Sequence, residues 1–278
     1  MPTLSIITIN LNNAAGLRKT IGSVICQTFT DYEYIIIDGG STDGSVDVIK
    51  EYADRITYRV SEPDKGIYNA MNKGIQKATG DYLQFLNSGD CLVDNNVLDK
   101  VFSFPRASDI IYGNLIKLMS DGRRIKKIAP SENDVTMMFF FLGNTIKHPS
   151  SFISRNLFEK TFFDESYKIA SDKKFFIENI IIHNCTIQSI NLDIVLFDTT
   201  GITSSAESTS LTKTENETIM LQLLPERIYH DYVRFRALLK SPLYKHGPLI
   251  VHNSLLQKMI FKLILVLLNL SNKLSKGN

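Results

Sequence analysis

The chain has 278 residues, 44% apolar and 22% charged, which fits one large or two small globular domains and argues against disorder throughout. Its formal charge is only +2, yet 9 Lys/Arg against 2 Asp/Glu from Pro225 onward make that end +7 and leave the body at −5, unlike a uniformly basic nucleic-acid binder. Cys26, Cys91 and Cys185 cannot all pair and show no C-x-x-C spacing, which argues against a disulfide scaffold or Cys-based zinc site and for a reduced, cytosolic compartment.

The opening Met1-Pro2-Thr3-Leu4 lacks a basic stretch followed by an apolar one, so no secretory signal is expected. Leu4–Asn10 is a short β-branched run. Leu17, Ile21, Val24 and Ile25 then recur at helical spacing. Tyr32–Asp38 holds three consecutive isoleucines, the pattern of a strand buried on both faces. Ser41-Thr42-Asp43 offers N-cap chemistry before Val46 and Ile49. Ile56–Ser61 reads as a third strand. Ile67, Ala70, Met71, Gly74, Ile75 and Ala78 line one helix face that Gly80 ends, and Tyr82–Leu86 is a fourth strand. This βαβαβαβ order implies a mostly parallel sheet covered on both faces. Asn95–Phe104 reads as a further helix.

Beyond residue 100 the pattern changes. Ile110–Met119 and Arg123–Ile128 flank Asp121-Gly122, a hairpin signal. Ser171–Ile182 reads as helix, Thr186–Phe197 as one or two strands, and Thr199–Glu217, rich in Ser, Thr and Glu, as a mobile loop. Met259–Leu270 is apolar at all positions but Lys262 and Asn269. It is too short for a bilayer span, which needs about 20 apolar residues. Two readings stay open: a core helix, or an interfacial helix on an anionic membrane, which the flanking Lys240, Lys245, Lys258, Lys273 and Lys276 favour.

In an open parallel sheet, ligands bind at the carboxyl ends of the strands. Here those ends are Ile9–Asn12, Asp38–Ser41, Ser61–Gly66 and Asn87–Asp90. All are polar, and three carry carboxylates. Gly39–Gly44 has the frame of a P-loop, but Ser45 stands where its lysine belongs, and no G-x-G-x-x-G follows the first strand. A diphosphate bound without a glycine cradle needs another counter-charge, usually a carboxylate-held divalent metal, and Asp90 is the best-placed ligand. Asp38 is placed to accept from a base N–H. Each also has a plainer reading: Asp90 as a turn or N-cap residue, Asp38 as an Asx-turn residue.

Four motifs carry a resemblance. Ile6–Asn12, Ile36–Gly44, Ser61–Gly74 and Phe85–Asp90, in that order and spacing, resemble family 2 glycosyltransferases, inverting enzymes of the GT-A fold that use nucleotide sugars. The likeness covers about residues 3–200 and is greatest to the bacterial branch that assembles capsule and exopolysaccharide, colanic acid included. It implies an α/β GT-A fold, a Rossmann-like mostly parallel sheet with helices on both faces and a small antiparallel acceptor-side sheet, and it leaves Leu211 onward unassigned, where a helical C-terminal extension is expected. Residues 1–220 would form the transferase domain, with a nucleotide-sugar half (1–100) and an acceptor half (101–220), and residues 221–278 the basic extension.

The resemblance also implies roles. Ile9, Asn10 and Leu11 would line the base and ribose pocket, Asp38 would read the base, and Asp64 and Lys65 would lie near base and diphosphate. Gly89 and Asp90 would end a D-x-D-like motif, with Asp90 on Mn²⁺ or Mg²⁺. Asn87 and Gly89 replace commoner acidic residues, so metal binding before the nucleotide is expected to be weak. His148-Pro149-Ser150-Ser151-Phe152 followed by Phe163–Asp172 resembles the acceptor-binding stretch, with Asp172 as catalytic base; inversion needs one base to take the acceptor proton. Asp172 at a helix start also has a plainer reading, a carboxylate stabilising the dipole, and the helix amides would lower its pKa. His148, Asn87 and Ser171 join as acceptor- or donor-side candidates, Tyr68 and Phe152 as stacking ones. Thr200–Ser204 looks like the loop that covers the donor. The implied partners are a nucleotide-diphosphate sugar, uridine being the family's usual base, and a saccharide or polyprenyl-diphosphate-linked acceptor. The implied place is the inner face of the plasma membrane, held peripherally. A nucleotidyltransferase is the alternative enzyme, although Asn12–Arg18 holds only one basic residue for a triphosphate. A non-catalytic nucleotide-sugar-binding subunit is the alternative without chemistry.

Overall fold

Leu4–Asn10 forms β1, buried at all seven positions, because neighbouring strands cover both edges and helices both faces. The computed structural model describes residues 1–199, 206–240 and 254–274, without side chains for 206, 207, 254–256 and 268–274. β2 (Tyr32–Asp38) and β4 (Tyr82–Phe85) flank β1 in parallel, and β3 (Tyr58–Ser61) is added beyond β2. Helix α1 (Ala14–Ile25) brings Leu17, Ile21 and Val24 onto Leu4 and Ile6, joined by Val48 and Ile49 of α2 (Ser45–Glu51). Helix α3 (Ile67–Lys77) lies on the other face. There Gly74 comes so close that a Cβ would stand 2.5 Å from Ile7 Cγ2.

The later strands extend this same sheet. β8 (Ser151–Ser154) runs antiparallel between β4 and β6 (Ile110–Leu118), and β9 (Ile187–Asp198) pairs parallel with β6 through a bulge near Asn114. β7 (Arg124–Lys127) closes the expected hairpin on β6, and β5 (Cys91–Leu92) pairs with the end of β9. The described order is β3-β2-β1-β4-β8-β6-β9-β5, with β7 on β6. Helices α4 (Val97–Phe102), α5 (Met137–Phe141) and α6 (Arg155–Phe158) fill the connections. α7 (Ser171–Phe176) continues as a π-helical turn over Ile177–Ile182. Phe158 stacks on Phe175 at 4.7 Å and Phe163 meets Phe85 at 5.2 Å, so α7 and the loop before it are bolted to β4 by aromatic packing.

The expected loop over Thr199–Glu217 is corrected. Ala206–Leu223 is helix α8. Its threonines return their hydroxyls to carbonyls four residues earlier, Thr212 to Ser208 at 2.6 Å and Thr218 to Thr214 at 3.1 Å. Glu215, Ile219 and Met220 are buried. Tertiary burial overrides the weak helix propensity of Ser and Thr. The Thr200–Ser204 reading lies outside the described residues.

The chain divides into two units, Met1–Leu223 and Leu224–Asn278. The second holds α9 (Glu226–Leu239) and α10 (Ser254–Leu274). Among the described residues no helix is long and apolar enough to cross a membrane.

Candidate active site

Parallel register makes three strand ends level: Asn10 faces Asp38, and Asp38 faces Ser61. The Asp38 carboxylate welds them together. Oδ1 accepts from Asn10 Nδ2 at 2.7 Å and Ser41 Oγ at 2.6 Å; Oδ2 accepts from the Ser41 amide at 2.9 Å and Ser61 Oγ at 2.6 Å. Burial pushes its pKa up, but these hydrogen bonds outweigh burial and hold it below the usual carboxylate value. All four lone-pair positions are taken, so in this geometry Asp38 ties the three strand ends together and has no acceptor position left for a base. Beside it, a Cβ on Gly39 would meet Asp64 Oδ2 at 2.5 Å and Leu11 Cδ1 at 3.3 Å. Exposed Leu11 and half-buried Gly39 and Asp64 thus come together at the strand ends. Ile9 and Asn10 are buried and offer mainly backbone there, while Lys65 is exposed next to Asp64.

The loop after β4 is held by Thr20 of α1, whose hydroxyl donates to the Asp90 carbonyl at 2.7 Å and accepts from the Gly89 amide at 2.9 Å. Gly89 has φ +106°, a conformation that a side chain would strain. The turn drives Asp90 inward, where it is 4% exposed. Its Oδ1 accepts one bond, from the Asp198 amide at 3.0 Å. Burial, with the like charge of Asp198 adding to it, raises its pKa to about 8. Among the described residues Asp90 makes no ion pair, and Asn87 Oδ1 is buried without a partner nearby in the same loop. A buried carboxylate, a second carboxylate and an orphan amide oxygen are hard oxygen donors, and they fit a divalent cation. Among the described residues no cluster of three or more His, Cys, Asp or Glu completes a cage, so such a cation would depend on ligand oxygens as well.

Asp172 stands in the first turn of α7. Its Oδ1 accepts from Tyr68 Oη at 3.2 Å, and its Oδ2 from His148 Nδ1 at 3.1 Å. Burial raises its pKa, but His148, the charge of Lys147 and the Lys173 amide outweigh it, so the net shift is downward. The helix effect expected from sequence therefore has company. Tyr68 begins α3, the helix after β3, and also donates to the Ile169 carbonyl at 2.5 Å. The 148–150 turn is held by Gln84 of β4, which donates to the Pro149 carbonyl at 2.9 Å. Both ties bring Asp172 to the carboxyl rim of the parallel strands, the rim on which Asp90 lies. Phe152 is wholly buried in the core, so its stacking reading is withdrawn. Tyr68 is buried as well and presents its hydroxyl to Asp172.

The conformation of the segment around Asp172 depends on residues the sequence reading missed. Asn72 exchanges bonds with the Phe163 backbone at 2.8 and 3.1 Å, and Glu165 accepts from Asn69 and Asn72 at 2.9 Å each. Glu215 of α8 accepts the amides of Lys168, Ile169 and Ala170 at 2.8, 3.0 and 2.9 Å. No local pattern around Glu215 signals this. Asn87 Oδ1, His148 Nε2, Ser171 Oγ and Asn10 Oδ1 are buried polar atoms without partners, and all four belong to residues singled out from sequence. Such orphans concentrate where ligands bind. A separate cleft of about 300 Å³, lined by Gln27, Tyr32, Asp54 and Arg55 among others, opens at the amino end of β2 and β3.

Comparison with known proteins agrees with this geometry. A family model described as Glycosyl transferase family 2 matches residues 5–162. An uncharacterized glycosyltransferase of Mycobacterium tuberculosis (strain CDC 1551 / Oshkosh) is 32% identical over 216 residues, 76% of this chain and 80% of that one. A PGL/p-HBAD biosynthesis glycosyltransferase of Mycobacterium bovis (strain BCG / Pasteur 1173P2) is 38% identical over 121 residues, 41% of this chain and 47% of its own. Among solved structures, mannosyltransferase PcManGT from Pyrobaculum calidifontis, in complex with GDP-Man and Mn²⁺, superposes with a TM-score of 0.61 at 12% identity, covering 93% of this chain and 83% of that chain. S. aureus TarS 1-349 in complex with UDP-GlcNAc gives 0.60 at 17% identity, covering 82% and 70%. The fold is that of the GT-A glycosyltransferases.

Proposed function

The chain belongs to glycosyl transferase family 2, and on that premise we propose that it moves a sugar from a nucleoside-diphosphate donor to an acceptor hydroxyl with inversion at the anomeric carbon. The observation that carries this is the pair of carboxylates on one strand-end rim, Asp90 and Asp172, held in opposite electrostatic states. The strand ends where Leu11, Gly39 and Asp64 meet would take the base and ribose, with backbone groups of Ile9 and Asn10 supplying polar contacts and Lys65 near the diphosphate. Mn²⁺ or Mg²⁺, held by Asp90 with Asp198 and Asn87 beside it, would neutralise charge on the diphosphate when bound. The TarS and PcManGT complexes hold UDP-GlcNAc and GDP-Man respectively, and a uridine donor is our reading here.

Asp172 is the general base. It is ionised across the working range, because His148, Lys147 and the Lys173 amide hold its pKa down. The acceptor oxygen forms a bond to the anomeric carbon. The bond from that carbon to the diphosphate oxygen breaks, and its electron pair leaves with the nucleotide. The acceptor proton passes to the Asp172 carboxylate. One displacement inverts the centre. Tyr68 and His148 fix the carboxylate's orientation through one oxygen each. Ser171, with its unpartnered hydroxyl, lines the same turn.

The motif likeness favours capsule or exopolysaccharide assembly, and the acceptor would be a saccharide, free or carried on a polyprenyl diphosphate. In α10 the side chains of Met259, Phe261, Leu263 and Leu267 are exposed, with Lys258 and Lys262 among them. That supports the interfacial reading over the core reading, and peripheral contact with the inner face of the plasma membrane.

The test replaces Asp172 with Asn and Asp90 with Ala and measures sugar transfer and nucleotide binding separately. Asp172→Asn should lower transfer by about 10²–10⁴-fold with nucleotide binding kept. Asp90→Ala should lose metal-dependent nucleotide binding. Full transfer in either variant would remove that residue's role.

A further inference from the structure

Lys147 and Lys173 flank Asp172, and Lys117 and Lys127 come up against Lys147. Lys173 follows Asp172 on α7 and is only 4% exposed. Lys147 is exposed and directly precedes His148, the partner of Asp172. Lys117 of β6 and Lys127 of β7 share one face of their hairpin, because register pairs Leu115 with Lys127 and Lys117 with Ile125. Diagonal neighbours of that kind lie about 7–8 Å apart. The positive charges of Lys117 and Lys127 bear on Lys147, and that of Lys147 bears on Lys173. Burial, first, and this crowding drive the Lys173 ammonium down to about 8, although Asp172 pulls the other way.

Among the described residues none of these four side chains makes a hydrogen bond or an ion pair. Their immediate neighbours do. Lys126, on the opposite face of β7, pairs with Asp193 at 2.7 Å, and Lys174 pairs with Asp164 at 2.6 Å. The protein thus supplies carboxylates to the adjacent lysines and leaves these with Asp172 as the one acidic group acting on Lys147 and Lys173. A buried ammonium without a partner is costly, and crowded like charges add to the cost. A multiply charged anion relieves both through charge-assisted hydrogen bonds.

We propose that Lys117, Lys127, Lys147 and Lys173 bind a phosphate-bearing group of the acceptor, so that this enzyme selects acceptors carrying a phosphate or diphosphate close to the attacking hydroxyl. The inference rests on the transferase reading above, which makes Asp172 the partner of that hydroxyl: Lys147 and Lys173, which interact with Asp172, face the acceptor, and Lys117 and Lys127 extend the same cluster through Lys147. Donor diphosphate has its own position by Asp90. Several ammonium groups match a tetrahedral dianion better than a single carboxylate.

The experiment titrates the full chain, saturated with UDP and Mn²⁺, with three probes: farnesyl diphosphate, farnesol and inorganic pyrophosphate. Calorimetry should detect farnesyl diphosphate and not farnesol. Pyrophosphate binding alone as tightly would identify the phosphate group itself as the ligand, whereas preference for farnesyl diphosphate would identify a lipid-linked one; both support the site. Lys127→Ala and Lys147→Ala, at exposed positions, should each weaken anion binding about tenfold with UDP affinity unchanged. Lys173→Met should weaken it at least as much, and if that variant fails to fold the two exposed ones still decide. Anion binding equal to wild type in both exposed variants would overturn the proposal, as would failure of the wild type to bind either anion. If the lysines bind the anion but no nucleotide sugar is ever turned over, the transferase reading fails and the anion site stands.

Discussion

Asp90 and Asp172 are the same side chain, Asp90 buried and Asp172 half-buried, with opposite shifts. Asp90 faces burial and another carboxylate, Asp198, and its pKa rises to about 8. Asp172 faces burial too, but a histidine, a lysine charge and an amide answer it, and its pKa falls. The partners decide the sign. For Asp90 the folded value lies above the unfolded one, so the metal-free native state binds the extra proton, and stability is lost as pH rises from about 4 to about 8. Asp90→Asn should therefore melt at least about 3 °C above wild type at pH 8 in chelator, with little difference at pH 4. A melting point no higher than wild type at pH 8 would contradict the burial argument. For Asp172 the leading downward cause is the hydrogen bond from His148. Replacing His148 with Ala should move the acid limb of transfer to higher pH, into or above the ordinary carboxylate range, as read from the pH dependence of kcat. An unmoved limb would mean that a group other than Asp172 takes the proton.

The segment carrying Asp172 has little regular structure before α7, so other helices hold it. From α3 come Tyr68, Asn69 and Asn72, spaced to put three polar side chains along one flank while Ala70, Met71 and Ile75 enter the core. From α8 comes Glu215 with three amide contacts. Glu215→Ala leaves those amides unanswered. It should cost about 3 kcal/mol in urea unfolding and lower kcat more than it lowers nucleotide affinity, because the proposed base loses its support while the proposed nucleotide site is built from other strands. Equal losses in both would mean general unfolding rather than positioning. Gly74 tests the packing of α3 itself. Gly74→Ala brings a methyl to 2.5 Å from Ile7 Cγ2 and should destabilise by about 1–3 kcal/mol despite the better helix propensity of alanine. Unchanged stability would show that β1 can yield there.

Charge divides the chain as the contacts do. The unit Leu224–Asn278 carries +7 while the rest of the chain carries −5, and α10 exposes Met259, Phe261 and the run Leu263–Leu267. A helix that leaves this much apolar surface exposed is favoured against an apolar medium, and its lysines add about 1 kcal/mol each on an anionic surface. The full chain should co-sediment with vesicles rich in anionic lipid and much less with zwitterionic ones. Lys258→Glu with Lys262→Glu should release it, and raised salt should weaken it. Sedimentation indifferent to lipid charge would return α10 to the core-helix reading.

Buried parallel strands announce themselves, because burial on both faces favours a β-branched, largely apolar run such as Leu4–Asn10 or the Ile35-Ile36-Ile37 centre of Tyr32–Asp38. Their polar ends follow directly, so the rim and Asp90 were readable from one dimension. Asp172 was readable only through its motif, and Glu215 was hidden altogether: a Ser/Thr-rich stretch lacks helical periodicity, and α8 forms because the body of the protein receives Ile219 and Met220 and needs a carboxylate for three loop amides. The committed state of Asp38 and the unpaired state of four lysines were equally out of reach of the sequence. Hydrogen bonds and ion pairs between residues tens of positions apart depend on which atoms the fold brings within about 3 Å, and no local pattern encodes that distance.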